Sequence, residues 1–180
     1  LSQAEADALL FMREEEKLAR DVYAVLYQTW SLPVFDNIRA SEQAHMDSLK
    51  SLLDVYGLAD PASAQAGVFT NPDLQALYDQ LVAQGSVSVA EALKVGGAIE
   101  EIDILDLKQR LAETDNADII QVYNNLLAGS ENHLRAFVMN YERQTGEVYQ
   151  PQYLSLVDYQ AIVSATSGNG QANRGGGNGK

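Results

Sequence analysis

The chain has 180 residues, of which 46% are hydrophobic and 21% charged, a composition typical of one globular domain rather than of a disordered protein. Twelve basic residues against 25 acidic ones give a net charge of −13, which argues against binding to nucleic-acid phosphates or anionic membranes. Because the chain has no cysteine, disulfides, iron–sulfur clusters, zinc–thiolate sites and thiol nucleophiles are excluded.

Helical periodicity predicts four long helices, which cover residues 2–30, 36–56, 88–114 and 117–145. Short breaks separate the first helix from the second and the third from the fourth, so each pair should be antiparallel. The long connection over residues 58–86 contains a short helix that begins at Asn71-Pro72. Another short helix is predicted within residues 153–165. We therefore expect an all-α fold, a ferritin-like antiparallel four-helix bundle with one long crossover connection and a short extra C-terminal helix.

We expect this bundle domain to cover residues 1–166. Six of the last thirteen residues are glycine, and no residue from 167 to 180 is more apolar than alanine, so a disordered tail is predicted there. The chain begins at Leu1 rather than at Met, which suggests an export signal that has been removed. A cytoplasmic location is the alternative.

Each long helix carries an inward-facing stripe with steps of three and four residues, and each stripe is apolar except near its middle. The ionisable residues in the middle are Glu16 in the first helix, Glu42 and His45 in the second, Glu100 in the third and His133 in the fourth. Burying so many unpaired ions at one level costs several kcal/mol each. A bound metal removes that cost, because it becomes the partner of every ligand. A Glu from each of two helices, with Glu-x-x-His from the other two, is the ligand pattern of dinuclear iron and manganese bundles.

The stretch from Glu16 to Tyr23 resembles the Glu-x-x-Ala-Arg-x-x-Tyr stretch in the first helix of rubrerythrin-like proteins of the ferritin-like superfamily, whose Glu is a metal ligand. Glu42-Gln-Ala-His45 is similar to their second-helix motif. Residues 12–23 and 129–137 together resemble a prokaryotic branch described as a domain of unknown function. The resemblance covers residues 2–160 and implies a dinuclear iron or manganese centre. It also implies chemistry with O2 or peroxide, or oxidation of ferrous iron.

The fourth helix departs from that pattern, because Ser130 stands three residues before His133, where the family has a carboxylate. Asp103, three residues after Glu100, is a candidate replacement ligand. The alternative is that Asp103 accepts a hydrogen bond from a ligating histidine. The sequence leaves open an asymmetric dinuclear site and a single metal, and it leaves zinc open beside iron and manganese.

Tyr23 is our candidate catalytic residue, with a radical or hydrogen-bonding role beside the metals. Packing in the core is the simpler explanation for both Tyr23 and Tyr123. Gly96-Gly97 is expected to allow close helix packing or to leave room for a small ligand. Five further acids are expected to lie on the surface: Glu14, Glu15, Glu101, Asp106 and Glu131.

The function predicted is that of a metalloprotein with oxidase or peroxidase chemistry. Its partners would be metal ions, a small oxidant and, since the chain lacks cysteine, an external electron donor, but neither nucleic acid nor a membrane. The alternatives are a non-catalytic metal-binding or storage protein and a structural bundle with a degenerate metal site. By analogy with ferritin-like proteins, a homodimer is expected.

Overall fold

The computed structural model describes residues 1–165, which form six helices and no strand. The helices are α1 (Gln3–Trp30), α2 (Pro33–Tyr56), α3 (Pro72–Gly85), α4 (Val89–Ala112), α5 (Ala117–Thr145) and α6 (Leu156–Ser164). The prediction of an all-α fold is confirmed. The predicted tail, residues 167–180, and the domain boundary at residue 166 lie outside the described residues. No helix within residues 1–165 has the length and apolar character needed to cross a membrane.

The helix ends follow local chemistry. Ser2 begins α1 with a capping box, in which its hydroxyl accepts from the Glu5 backbone N–H and the Glu5 carboxylate accepts from the Ser2 backbone N–H. Helix α2 begins at Pro33, three residues earlier than predicted, because proline fits the first helical turn, where its missing N–H needs no partner. Gly57 ends α2 in the left-handed conformation, at φ 67°.

The four long helices pack in two pairs, α1 along α2 and α4 along α5, and the pairs meet through α1 with α4 and α2 with α5. Neighbouring long helices are antiparallel. At one end of the α2–α5 contact, for example, Tyr56 donates to Asp118, and further along His133 meets Ser41. Helix α3 packs on both α1 and α4, and α6 packs on α5.

The apolar core forms two clusters, one on either side of a polar layer at mid-helix. One contains the ring triad of Tyr23, Phe35 and Phe137, and the other contains Leu9 and Met12 of α1 with residues of α2, α4 and α5. This arrangement follows the stripes, because the ionisable position on each long helix has apolar neighbours one turn before and after it. The polar layer is therefore closed by apolar side chains above and below.

A second face of α1 is also buried, under the connection between α2 and α3. Glu14 accepts from the backbone N–H groups of Thr70 and Asn71, at 2.5 Å and 3.0 Å. Lys17 is fully buried and donates to Asp21 at 2.6 Å. The prediction that Glu14 lies on the surface is therefore wrong, because the covering segment comes from more than 40 residues away in the chain.

Glu101 is also buried rather than on the surface. Its carboxylate accepts from the Tyr149 hydroxyl at 2.8 Å and from the backbone N–H groups of Gln152, Tyr153 and Leu154. These four donors satisfy a carboxylate that would otherwise be costly to bury. Glu101 thereby holds the segment before α6 against α4.

Gly96 and Gly97 allow close packing, as one of the two expectations had it. A Cβ atom at Gly96 would overlap the Phe137 ring, and one at Gly97 would overlap the Tyr149 phenol. The two rings occupy the space beside these glycines, so it is not left for a small ligand, which was the alternative expectation.

Candidate metal centre

The structure brings five of the six predicted ligands into two groups at the middle of the long helices. One group is Glu16, Glu42 and His45, and the other is Glu42, Glu100 and His133. Within each group the ligand atoms lie within 4.8 Å of one another, so either group could hold a metal ion. The five residues meet because each stands at the inward position of its own helix at the same height.

Glu42 belongs to both groups and uses one oxygen for each. Its Oε2 lies 2.7 Å from His45 Nδ1, and its Oε1 lies 2.8 Å from His133 Nδ1. The two imidazole rings stack with their centroids 5.5 Å apart. Glu42 is thus a carboxylate between two imidazoles, placed to bridge two neighbouring sites.

Glu16 and Glu100 complete the groups from opposite sides. Glu16 Oε2 lies 3.2 Å from His45 Nδ1, and Glu100 Oε2 lies 3.5 Å from His133 Nδ1. The Tyr23 hydroxyl donates to the other oxygen of Glu100, Oε1, at 2.5 Å. Tyr23, the predicted catalytic residue, therefore contacts a carboxylate of the centre.

Several polar atoms of the centre are buried without a hydrogen-bond partner, namely Glu16 Oε1, Glu42 Oε1, Asp103 Oδ1 and His133 Nδ1. Buried polar atoms are normally paired, so each orphan needs a reason. Glu42 Oε1 and His133 Nδ1 are close together, yet they are not aligned for a hydrogen bond. Atoms that converge without bonding to one another fit a shared cation, and the residues present therefore suit a metal.

Asp103 lies outside both groups but next to them. The Ser130 hydroxyl donates to Asp103 Oδ2, which leaves Oδ1 buried and unpartnered. The position that lacks a carboxylate on α5 thus faces a carboxylate from α4. Asp103 makes no hydrogen bond to either histidine in the described structure, which removes the support for that alternative.

The sequence did not single out two residues that hold the imidazoles. His133 Nε2 lies 3.0 Å from the Ser41 hydroxyl, so a proton on Nε2 leaves Nδ1 free to face the carboxylates. His45 Nε2 lies against Gly129, where a Cβ atom would come within 2.6 Å of it. In the chain, Ser41 directly precedes Glu42, and Gly129 directly precedes Ser130. Their contacts with the imidazoles nevertheless depend on how α2 packs against α5.

Burial and mutual contact shift the protonation of the whole centre. Burial raises the pKa values of Glu16 and Glu100, and it raises the pKa of Asp103 to about 7. Burial opposes a charge on His45, but hydrogen bonds to Glu16 and Glu42 raise its pKa to about 11. Without a metal, protonated imidazoles therefore act as the counter-charges of the carboxylates.

Two further shifts follow the same logic. Burial would raise the pKa of Glu42, but its close contacts with both histidines lower it to about 2. Burial disfavours a charged His133, yet the charge of Glu100 raises its pKa to about 10. A metal that binds here must displace these protons, because a histidine ligates in its neutral form.

Glu15 is a third acid that we placed on the surface wrongly. It is only 6% exposed, and its Oε2 has no hydrogen-bond partner. Asp106 and Glu131, the two remaining acids of that prediction, are partly exposed. Nothing in the run Glu14-Glu15-Glu16 distinguishes the residue that faces the covering connection from the one that faces α4.

Comparison with known proteins gives consistent results. A family profile described as "Uncharacterized protein domain (DUF2202)" matches residues 5–166. A protein of Methanocaldococcus jannaschii, "Uncharacterized protein MJ0754", is 48% identical over 171 residues, which cover 94% of this chain and 92% of that protein. The crystal structure titled "hypothetical protein MJ0754 from Methanococcus jannaschii DSM 2661" is similar with a TM-score of 0.90 and 49% identity. It matches 92% of this chain and 95% of its own.

These descriptions do not name a ferritin-like or rubrerythrin-like protein, so that finer assignment depends on the centre itself. The resemblance to a domain of unknown function is confirmed. The chain belongs to the DUF2202 family.

Proposed function

We propose that this protein is a ferritin-like four-helix metalloprotein that binds two iron or manganese ions in its core. The observation that carries the proposal is the position of Glu42, one carboxylate shared by two groups that each contain a histidine and a further glutamate. Mixed carboxylate and imidazole ligands suit iron and manganese, and they also accept zinc. The proposed ligands are Glu16, Glu42, His45, Glu100, His133 and Asp103.

The ferritin-like assignment has independent support from the packing. Four long antiparallel helices carry the ligands at mid-height, and the connection between α2 and α4 is the long one. This combination is characteristic of ferritin-like bundles with one crossover.

Charge balance supports two ions rather than one. The carboxylates of Glu16, Glu42, Glu100 and Asp103 carry four negative charges when ionised, which two divalent cations would neutralise. Asp103 is included because its Oδ1 is buried and unpartnered beside Ser130, where a carboxylate is missing from α5.

When bound, iron or manganese would supply redox chemistry with O2 or peroxide. The protein holds the carboxylates and imidazoles in place, and the Tyr23–Phe35–Phe137 cluster limits access of water on one side. Because the chain has no cysteine, electrons for repeated turnover would come from an external donor.

Metal-binding or storage without turnover is the second candidate. Glu16, Glu42 and Glu100 are each only 2% exposed, which suits an ion that is held more than one that meets a substrate. A metal-loaded protein that shows no O2- or peroxide-dependent turnover would establish this candidate over the oxidoreductase.

The metal content of untagged protein, expressed with iron and manganese supplied, tests the proposal. We expect about two ions per chain by elemental mass spectrometry, as in dinuclear carboxylate bundles. One ion would contradict the dinuclear centre and show that Asp103 does not replace the carboxylate missing at Ser130. A chain that takes up no metal would contradict the proposal altogether.

Replacing Tyr23 with Phe tests whether the Tyr23 hydroxyl positions the carboxylate of Glu100 for metal binding. We expect Tyr23→Phe to keep two ions but to release them about tenfold faster, since partners that orient a ligand typically change affinity by about 10–100-fold. Release into excess chelator gives the rate. Tyr27→Phe, on the exposed side of the same helix, is the control and should release metal at the wild-type rate. Equal rates in all three proteins would refute a positioning role for Tyr23.

A further inference from the structure

Glu15 is a buried carboxylate that the metal centre does not use. It is 6% exposed, and its Oε2 has no hydrogen-bond partner. The side chains that act most strongly on it are themselves acids, Asp103, Asp106 and Glu16. A buried carboxylate surrounded by carboxylates lacks the counter-charge that normally offsets the cost of burial.

The acids around Glu15 form a line from the surface to the centre. Glu100, Asp103 and Asp106 are spaced three residues apart on α4, so they share one face and advance about 4.5 Å along the axis at each step. Glu100 is a proposed ligand, Asp103 is buried beside Ser130, and Asp106 is partly exposed. Glu15 on α1 is close enough to Asp103 and Asp106 for these two acids to act most strongly on it.

The line follows the contact between α1 and α4. The backbones of these two helices approach each other less closely than those of α1 and α2 or of α4 and α5. Arg110 lies one turn beyond Asp106 on the same face of α4, where its guanidinium pairs with Glu113 at 3.5 Å and stacks on the Phe11 ring. The acids therefore mark a seam between the helix pairs, with Arg110 drawn away by its own partners.

These acids do not themselves form a compact binding site. Among residues 1–165, the groups whose ligand atoms converge within 4.8 Å are the two at the centre, and neither Glu15 nor Asp106 belongs to them. Carboxylates that stand one after another, without converging on one point, suit an ion that passes by rather than one that stays bound.

We propose that Asp106, Glu15 and Asp103 form the path by which divalent cations reach the metal centre. The inference depends on the proposed function, because the path leads to the proposed metal centre. At each step a cation exchanges water for carboxylate oxygen, and the unpartnered oxygens of Glu15 and Asp103 are the atoms that receive it. A line of carboxylates with apolar walls also concentrates cations and can raise association rates by about 10–10³-fold.

Uptake of Co²⁺ by the metal-free full-length protein tests the path, because cobalt absorbance reports binding without any turnover. Stopped-flow mixing gives the rate, and equilibrium titration gives the number of ions bound. Glu15→Gln and Asp106→Asn each replace one carboxylate by an amide of nearly the same shape, and Glu131→Gln makes the same replacement at a partly exposed position on α5. We expect both path variants to load about tenfold more slowly than wild type, with unchanged final stoichiometry, while Glu131→Gln loads normally.

Each other outcome has a distinct meaning. Path variants that load at the wild-type rate would overturn the path and leave the metal centre standing. A lower final stoichiometry in Glu15→Gln would overturn it too, because Glu15 would then be a ligand. Wild-type protein that binds no cobalt would overturn the proposed function and the path together. If Glu15→Gln does not fold, Asp106→Asn decides the question, since its side chain is partly exposed.

Discussion

Replacing Glu42 with Gln is expected to remove both metal ions. Glu42 lies 2.7 Å and 2.8 Å from the Nδ1 atoms of the two histidines and is shared by both groups, so its loss should affect both proposed sites at once. Orienting partners alone change metal affinity by about 10–100-fold, and a shared ligand should exceed that range. Elemental analysis after dialysis should find about two ions in wild type and almost none in the variant, and two ions retained in the variant would refute the assignment.

The same variant should destabilise the metal-free protein, by about 3 kcal/mol at neutral pH, because two buried imidazoles lose their shared counter-charge. Urea unfolding in chelator measures this loss, with Glu131→Gln as the matched control. The pKa of Glu42 is lowered to about 2, so its carboxylate stabilises the fold above the ordinary value of 4.5. That contribution is lost as pH falls through 2. The difference in the free energy of unfolding between wild type and variant should therefore narrow as the pH is lowered from about 4.5 to about 2.

Metal is expected to raise the melting temperature by at least about 15 °C relative to protein in strong chelator. A ligand at 1,000 times its Kd adds about 4 kcal/mol per site, and each kcal/mol is worth about 2–4 °C in a domain of this size. Differential scanning calorimetry of the loaded and the metal-free protein gives the shift. Glu42→Gln should show almost none.

The rise in melting temperature that metal produces should also increase with pH. His45 and His133, with pKa values raised to about 11 and 10, bind protons that a metal must displace. Protons therefore compete more strongly at pH 6 than at pH 8, and the metal-induced shift should be larger at pH 8. Equal melting temperatures with and without metal at both values would favour a structural bundle with a degenerate site.

Local chemistry was enough to predict the helices and the level of the centre. The capping residues and the glycine stops act over one helical turn, and the apolar stripes repeat every three or four residues. A polar break in a stripe can be read in the same way, because a helix imposes one geometry on all its residues. Glu16, Glu42, His45, Glu100 and His133 were all located from such breaks.

Only the tertiary structure determined the contacts between segments that are far apart in the chain. That Glu42 gives one oxygen to each histidine depends on the register of α2 against α5, and that Ser130 meets Asp103 depends on the register of α5 against α4. Stripes define the face of a helix but not its axial position against a neighbour, which packing of all the side chains sets together.

The same reason explains the acids that the sequence misplaced. Glu14, Glu15 and Glu101 look like surface residues because a helical pattern registers one buried face, whereas each of these lies on a face covered by another part of the chain. Backbone N–H groups of the covering segments satisfy Glu14 and Glu101. Thus periodicity within single helices determined the elements and the candidate ligands. Only the assembled structure decided which carboxylates are paired and which, like Glu15, are buried with an oxygen unpartnered, because burial depends on every segment that packs nearby.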